Sequence, residues 1–367
     1  YLDSEEIYQA LTEYIIDYLS TDTGFSKLLY KYMLQEDTIS GQEICLVLYE
    51  QGVLDKNDDD YENLASGAMG AYDFMINKIY TLEIEPAQLA LMPCSASAVV
   101  VDVKTGDVVA LVSYPGYDNN RLTNDMDTAY AKLALDQSSP FFNKATQQTT
   151  APGSTLKLLS TIAGMEEGII DEGTYIECTG TFDYVDPPIN CWYKNGHGSL
   201  DIRTAIEQSC NYFFNMIGFQ LGKVGDNEFS EVQSLNKLQE YASLIGLDRK
   251  TGIELSEATP KVSDAKAVPS YMGQGNNLFT TSELARYATV MATSGNVFKL
   301  TLLDKVMNPK GEVIQEYEPE IEDVVNISSN IWDVIHDGMR RVIQTHSQFD
   351  GLGVEVAGKT GTAELDL

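Results

Sequence analysis

The chain has 367 residues, with 55 acidic against 24 basic side chains and a formal charge of −31. A field of that sign repels nucleic acid and anionic lipid surfaces, which excludes nucleic-acid binding. A hydrophobic content of 43% is enough for one large domain plus a smaller one and excludes global disorder. The first region, 1–92, reads as mainly helical: Ile7, Leu11, Ile15 and Leu19 recur at helical spacing, and 25–34 and 44–49 are further apolar stretches. Asp55 to Asp60 is a charged break. It lacks the Gly and Glu that a calcium loop needs at its sixth and twelfth positions, so a solvated loop is expected.

From Ser97 the pattern changes. Ala98 to Val103 and Val108 to Val112 flank Lys104-Thr105-Gly106-Asp107, which predicts a β-hairpin with Gly106 in the turn. Both runs are almost continuously apolar, so burial on both faces is expected. Helices are predicted over 155–167, 201–208, 212–221, 233–247 and 331–344. A further helix opens with the capping box Thr280-Thr281-Ser282-Glu283 and runs to about Thr293. Residues 354–364 alternate like a strand. No run of 18 apolar residues is present, and the chain starts at Tyr1, so it reads as part of a longer protein. Five cysteines are too few for a disulfide scaffold. Cys178 and Cys191 flank the turn Asp186-Pro187-Pro188 and are either a bonded pair or two buried thiols.

Three short motifs occur in order: Ser154-Thr155-Leu156-Lys157, Ser209-Cys210-Asn211 and Lys359-Thr360-Gly361-Thr362. Each type recurs elsewhere: Ser-x-x-Lys at Ser234 and Ser263, Ser-x-Asn at Ser234, Ser294 and Ser328, and Lys-Thr-Gly at Lys104. Context separates the copies. Ser154 follows Pro152-Gly153 and opens an apolar helix, where its backbone N–H faces the positive end of the dipole. Lys157 shares that helix face, and desolvation beside Leu156, Leu158 and Leu159 would lower its pKa enough to take the Ser154 proton. The same segment also fits an N-capping serine and a lysine reaching for solvent. Ser209 and Asn211 lie between two predicted helices, as a relay and a carbonyl contact or as an ordinary cap pair. Lys359, Thr360 and Thr362 can hold a carboxylate, and Gly361 permits close approach; a plain strand-end turn is the alternative. Cys210 has no histidine at a motif position to pair with among His197, His336 and His346, so a cysteine–histidine enzyme is not expected.

In combination these motifs resemble the transpeptidase domain of penicillin-binding proteins, of the class B, monofunctional kind. The hairpin region 97–121, the approach Asn143 to Ser154, Gly196-His197-Gly198 and Gly273-Gln274-Gly275 are similar too. The resemblance covers about 90–367 and implies an α+β fold, an antiparallel sheet flanked by helices, in a domain spanning 93–367. The strands and helix that follow the third motif in the family are not in this sequence. Region 1–92 would be a pedestal or linker.

Ser154 would be the acylated nucleophile, Lys157 its base, and Ser209 and Asn211 the relay and substrate contact. Lys359, Thr360, Gly361 and Thr362 would bind the stem peptide or a β-lactam, with backbone N–H groups of Ser154 and Thr362 as oxyanion donors. The implied activity is peptidoglycan D,D-transpeptidation, blocked covalently by β-lactams, with no cofactor and no metal. Implied partners are stem peptides, β-lactams and cell-wall synthesis proteins. The implied place is the outer face of the cytoplasmic membrane, held by an N-terminal span. A D,D-carboxypeptidase or β-lactamase, and a non-catalytic β-lactam sensor, are the alternatives on the same fold.

Overall fold

The computed structural model describes residues 4–363 apart from 37, 51, 57, 58, 82, 85–94, 125, 137, 226 and 227. The chain divides into two units, 1–95 with 135–138, and 96–134 with 139–367. The boundary expected between 92 and 93 lies outside the described residues.

The first unit is helical: α1 (Ser4–Thr21), α2 (Thr23–Gln35), α3 (Gly41–Glu50), α4 (Asp59–Ala65) and α5 (Ala71–Tyr80). Its core is small, made by Cys45, Tyr49, Leu54, Leu64, Phe74 and Ile84. The apolar spacing of α1 does form a helix, but Ile7, Leu11 and Ile15 remain exposed. The loop expected at 55–60 needs correction. α4 already begins at Asp59, and Asp60 lies 2.9 Å from the ammonium of buried Lys78, which also meets Glu83 at 2.9 Å. A buried cation requires such partners, so Asp60 is drawn into a helix and an ion pair. Residues 57 and 58 of that break lie outside the described residues.

The second unit opens with the hairpin β1 (Ala96–Val101) and β2 (Val108–Tyr114), paired antiparallel through a turn in which Gly106 has φ +82°. A Cβ at Gly106 would meet the side chain of Phe298 and the carbonyl of Lys299, so only glycine fits. Burial on both faces is not observed. Ser97, Val99 and Val101 face the protein while Ala96, Ala98 and Val100 are exposed, because one layer alone covers this ladder. The covering layer is made by the helix at 281–292, whose Thr281 Oγ1 lies 2.7 Å from Ser97 Oγ, and by the short helix at 144–147, where Lys144 N donates to Ser113 Oγ at 2.9 Å.

The strands of this unit pair antiparallel in two-stranded ladders, and no larger sheet occurs among the described residues. Those beside the site are β3 (Ile176–Cys178) with β6 (Gly198–Leu200), and β4 (Thr181–Phe182) with β5 (Ile189–Asn190). The helices that build the core are α6 (Lys157–Glu166), α7 (Ile202–Glu207), α8 (Asn211–Leu221), α9 (Glu231–Leu244), α10 (Thr281–Ala292) and α11 (Ser329–Gln344). α6 is central: every residue from Lys157 to Gly164 is buried, against α8, α9 and α11. α11 covers α7. The capping box at α10 is present in full, with Thr280 Oγ1 accepting from Glu283 N and Glu283 Oε2 from Thr280 N. The fold is mixed α and β, as expected.

The strand expected at 354–364 does not form over the described part, 354–363. No neighbouring strand offers a ladder there, and the backbone takes its bonds from α11 instead. Arg340 Nη1 donates to the Val356 carbonyl at 2.8 Å and Gly358 N to the Met339 carbonyl at 3.1 Å. A strand exists only with a partner, which alternation of side chains does not supply. Residue 364 lies outside the described residues. No described helix is long and apolar enough to cross a membrane.

Candidate active site

The first motif sits on a tight turn. Gly153 has φ +56°, and residues Gly153–Leu156 form a 3₁₀ turn that runs into α6. Gly153 N donates to the Gly273 carbonyl, and a Cβ on Gly153 would collide with the backbone of Thr362. A Cβ on Gly273 would collide with the Gly153 carbonyl. The first and third motifs and Gly273-Gln274-Gly275 therefore interlock through bare backbone, as expected of positions where only glycine fits. Helix starts leave N–H groups unpaired. Here the buried Tyr287 hydroxyl accepts from Leu159 N at 2.9 Å and donates to the Thr155 carbonyl at 3.2 Å.

Lys157 is the first residue of α6 and is fully buried. Its ammonium donates to the Ser209 carbonyl at 2.7 Å, Asn211 Oδ1 at 2.7 Å and Ser209 Oγ at 3.2 Å. Ser154 Oγ is not among these acceptors. The Phe214 ring centroid lies 5.5 Å from Nζ. Burial first, and then the charge of Lys359, push the Lys157 pKa down to about 7. Desolvation lowers Lys359 to about 8. Lys359 Nζ donates to Ser209 Oγ at 3.0 Å and the Thr360 carbonyl at 3.1 Å. One hydroxyl thus stands between two ammonium groups.

The second motif is held by the break between α7 and α8. Cys210 N donates to the Ala205 carbonyl at the end of α7, and Ser209 takes φ +51°. That left-handed backbone is unfavourable for a residue with a Cβ and turns Oγ towards both lysines. The three motifs line one cleft of about 950 Å³, to which Ser154, Ser209, Asn211, Thr360 and Thr362 all contribute. The competing copies lie elsewhere. Ser234 Oγ is spent on the Gly218 carbonyl, Ser263 Oγ on Asn276 and the Ala265 carbonyl, and Lys104 is in the hairpin turn.

One cluster was missed from the sequence. Cys178 and Cys191 are free buried thiols, and with Cys210 and His197 they offer four ligand atoms within 4.8 Å of one another. His197 Nδ1 lies 3.6 Å from both Cys178 Sγ and Cys191 Sγ, and Cys191 Sγ lies 3.9 Å from Cys210 Sγ. A tetrahedral zinc site has edges of about 3.8 Å between sulfurs and about 3.6 Å between sulfur and nitrogen. The set therefore fits zinc in both donor type and size, contrary to the expectation that the chain carries no metal ligands. The signal in the sequence is the order Cys178, Cys191, His197, Cys210, four soft donors within 33 positions. Cys191 is pushed towards the thiolate, first by its hydrogen bond with Cys210 and also by backbone N–H groups of Tyr212, Tyr193 and Asn211. Cys210 is pushed the other way by the same pairing and by burial.

Residues 96–366 match the family described as penicillin binding protein transpeptidase domain. Among curated proteins, the chain is 26% identical over 295 residues to peptidoglycan D,D-transpeptidase MrdA of Escherichia coli, covering 74% of this chain and 44% of that protein. It is 29% identical over 289 residues to peptidoglycan D,D-transpeptidase PbpA of Mycolicibacterium smegmatis, covering 74% and 56%. Among solved structures, penicillin-binding protein A from M. tuberculosis, as a penicillin G acyl-enzyme complex, superposes with TM-score 0.64 at 25% identity, covering 74% of this chain and 62% of that one. A chain from a peptidoglycan synthase complex superposes with TM-score 0.66 at 27% identity, covering 74% and 46%. The chain spans about half the length of the curated relatives it matches. It belongs to the penicillin-binding protein transpeptidase family, in its class B branch.

Proposed function

We propose that the protein is a serine D,D-transpeptidase that cross-links peptidoglycan stem peptides through an acyl-Ser154 intermediate and is trapped there by β-lactams. The observation that carries this reading is the buried Lys157 ammonium, bonded to both Ser209 and Asn211 with its pKa lowered to about 7. A buried lysine that is half neutral near pH 7 is suited to removing a serine proton.

In this reading Ser154 Oγ attacks the carbonyl of the D-Ala–D-Ala bond and its proton passes to Lys157 Nζ. Backbone N–H groups of Ser154 and Thr362 hold the oxyanion, each worth about 3 kcal/mol by comparison with other acyl enzymes. Ser209 carries the proton onward to the departing D-Ala amine. Asn211 keeps its Oδ1 on Lys157 and turns its NH₂ to a substrate carbonyl. Lys359, still cationic below about pH 8, binds the terminal carboxylate with the hydroxyls of Thr360 and Thr362. Gly361 lets the substrate backbone approach. An amine from a neighbouring stem peptide then takes the acyl group.

The domain reading, a transpeptidase domain from about 93 preceded by a helical pedestal, accompanies this proposal. So do a membrane-anchored place at the outer face, where stem peptides are found, and cell-wall synthesis proteins as partners. The test is labelling of the intact protein with fluorescent penicillin and mapping of the modified peptide. Label on the peptide containing Ser154, abolished by Ser154→Ala, is expected; label that survives Ser154→Ala would overturn the reading.

A further inference from the structure

The helix that carries Lys157 does not begin as an ordinary α turn. Its hydrogen-bond ladder starts at the carbonyl of Leu156, the N-cap of α6, and the turn before it, Gly153–Leu156, is 3₁₀. One more α turn would need the Leu159 N–H to meet the Thr155 carbonyl. The Tyr287 hydroxyl stands in that place, accepting from Leu159 N at 2.9 Å and donating to the Thr155 carbonyl at 3.2 Å. A side chain inserted into a helical ladder holds it open at that point. The rest of the turn is bonded in its 3₁₀ form. Lys157 N donates to the Ser154 carbonyl, and Thr155 Oγ1 donates to the Pro152 carbonyl at 2.8 Å. Gly361 of the third motif lies against the same turn, so close that a Cβ there would meet the Thr155 methyl. Tyr287 is itself fixed on α10. It is buried, and burial raises its pKa, so it remains a phenol with a proton to donate and a lone pair to accept.

The form of this turn decides how Ser154 stands to Lys157. Three residues advance about 300° around an α-helix, so positions three apart are about 60° out of line. In a 3₁₀ turn they eclipse. Ser154 and Lys157 are such a pair. We propose that Tyr287 is a positioning residue for the nucleophile: its hydroxyl keeps the Gly153–Leu156 turn in the 3₁₀ form, which holds Ser154 in line with Lys157 and the Ser154 N–H at the oxyanion. It acts through the backbone, on Thr155 and Leu159. Without the hydroxyl, the Leu159 N–H and the Thr155 carbonyl are two buried polar groups that have lost a partner. Each satisfies the other by closing the missing α turn. α6 then starts one residue earlier, at Leu156, and Ser154 swings about the helix axis out of line with Lys157. The loss falls on acylation more than on stability, because a direct backbone bond takes the place of the bridge through the hydroxyl.

This inference rests on acylation at Ser154, and the experiment separates the two. Intact parent, Tyr287→Phe and Val290→Ala proteins are labelled with fluorescent penicillin over a range of concentrations. The dependence splits the dissociation constant of the first complex from the rate constant of acylation. For Tyr287→Phe the acylation rate constant should fall by roughly 10- to 100-fold, with the dissociation constant within about twofold of the parent. Val290, one turn further along α10 and also buried, is the control for a loosened helix. Val290→Ala should lower the melting temperature at least as far as Tyr287→Phe does, yet leave the acylation rate constant within about twofold. Para-aminophenylalanine in place of Tyr287 donates and accepts at the same point. It should bring the rate constant back to within about threefold of the parent, and it decides the role alone where Tyr287→Phe does not fold. A crystal structure of Tyr287→Phe should show Leu159 N bonded to the Thr155 carbonyl. A Tyr287→Phe rate constant within about twofold of the parent, a Val290→Ala protein slowed as much as Tyr287→Phe, a para-aminophenylalanine protein slowed about tenfold or more, or a 3₁₀ turn unchanged in Tyr287→Phe would each overturn the positioning role. A parent protein that takes no label would instead overturn the acylation reading, while the crystal structure still decides whether the hydroxyl keeps the turn.

Discussion

Ser209 Oγ lies 3.0 Å from Lys359 Nζ, across 150 positions of sequence, and 3.2 Å from Lys157 Nζ on its other side. The two ammonium groups share one hydroxyl in a place where burial already disfavours charge on both, and the charge of Lys359 lowers the proton affinity of Lys157 further. Ser209→Ala removes the shared group and leaves both lysines without their link. Acylation by fluorescent penicillin should slow by about 10²- to 10³-fold, the range of a lost proton-transfer group. Ser209→Gly should slow it similarly yet raise the melting temperature, since glycine adopts φ +51° without strain. A Ser209→Ala protein that acylates at the parent rate would exclude the relay.

The acylation rate should depend on pH as a bell. Lys157 must be neutral to act as base, so the rate rises as pH passes through about 7. Lys359 must be cationic to hold a carboxylate, so the rate falls as pH passes through about 8. The second-order rate constant for a β-lactam, measured from pH 5 to 10, checks both limbs. Lys157→Arg stays protonated throughout and should remove the rising limb together with nearly all activity.

Gly153 and Gly273 meet through bare backbone. Gly273→Ala would drive a methyl into the Gly153 carbonyl, and Gly153→Ala would drive one into Thr362. Each should cost about 2–4 kcal/mol, or prevent folding, because neither neighbour is a side chain that can rotate away. Gly168→Ala is the control. It has φ +67° but nothing within 4 Å, so only the backbone penalty of about 1 kcal/mol remains. Thermal unfolding of the three variants tests the ordering.

Glu283 closes the capping box of α10 from a buried position, and burial raises its pKa from 4.5 to about 7. A carboxyl raised in the folded state stabilises fully below its unfolded pKa, and that contribution is lost as pH rises through about 7. Glu283→Gln can still accept from Thr280 N and does not ionise. The parent should therefore lose stability between pH 5 and pH 8 more steeply than Glu283→Gln. Equal slopes in melting temperature would show that Glu283 is not the group responsible.

Local sequence was enough for features that depend on residues a few positions apart. The Gly106 turn, the capping box at Thr280 and Glu283, and the helix starting at Lys157 follow from backbone preferences and short-range hydrogen bonds. Motif order and context picked out copies that the fold brings together: Ser154, Ser209 and Lys359 converge on one cleft, whereas Ser234 spends its hydroxyl on a helix carbonyl. Tertiary structure decided everything that needs a partner distant in the chain. Residues 354–363 alternate like a strand but bond to α11, and the β1–β2 hairpin is covered on one face because helices pack against that side alone. Desolvation of Lys157 and Lys359 depends on what surrounds them, and so do their shared contact with Ser209 and the convergence of three sulfurs with His197. A side chain's proton affinity and its ligand partners are set by neighbours in space, and only the packed chain supplies those.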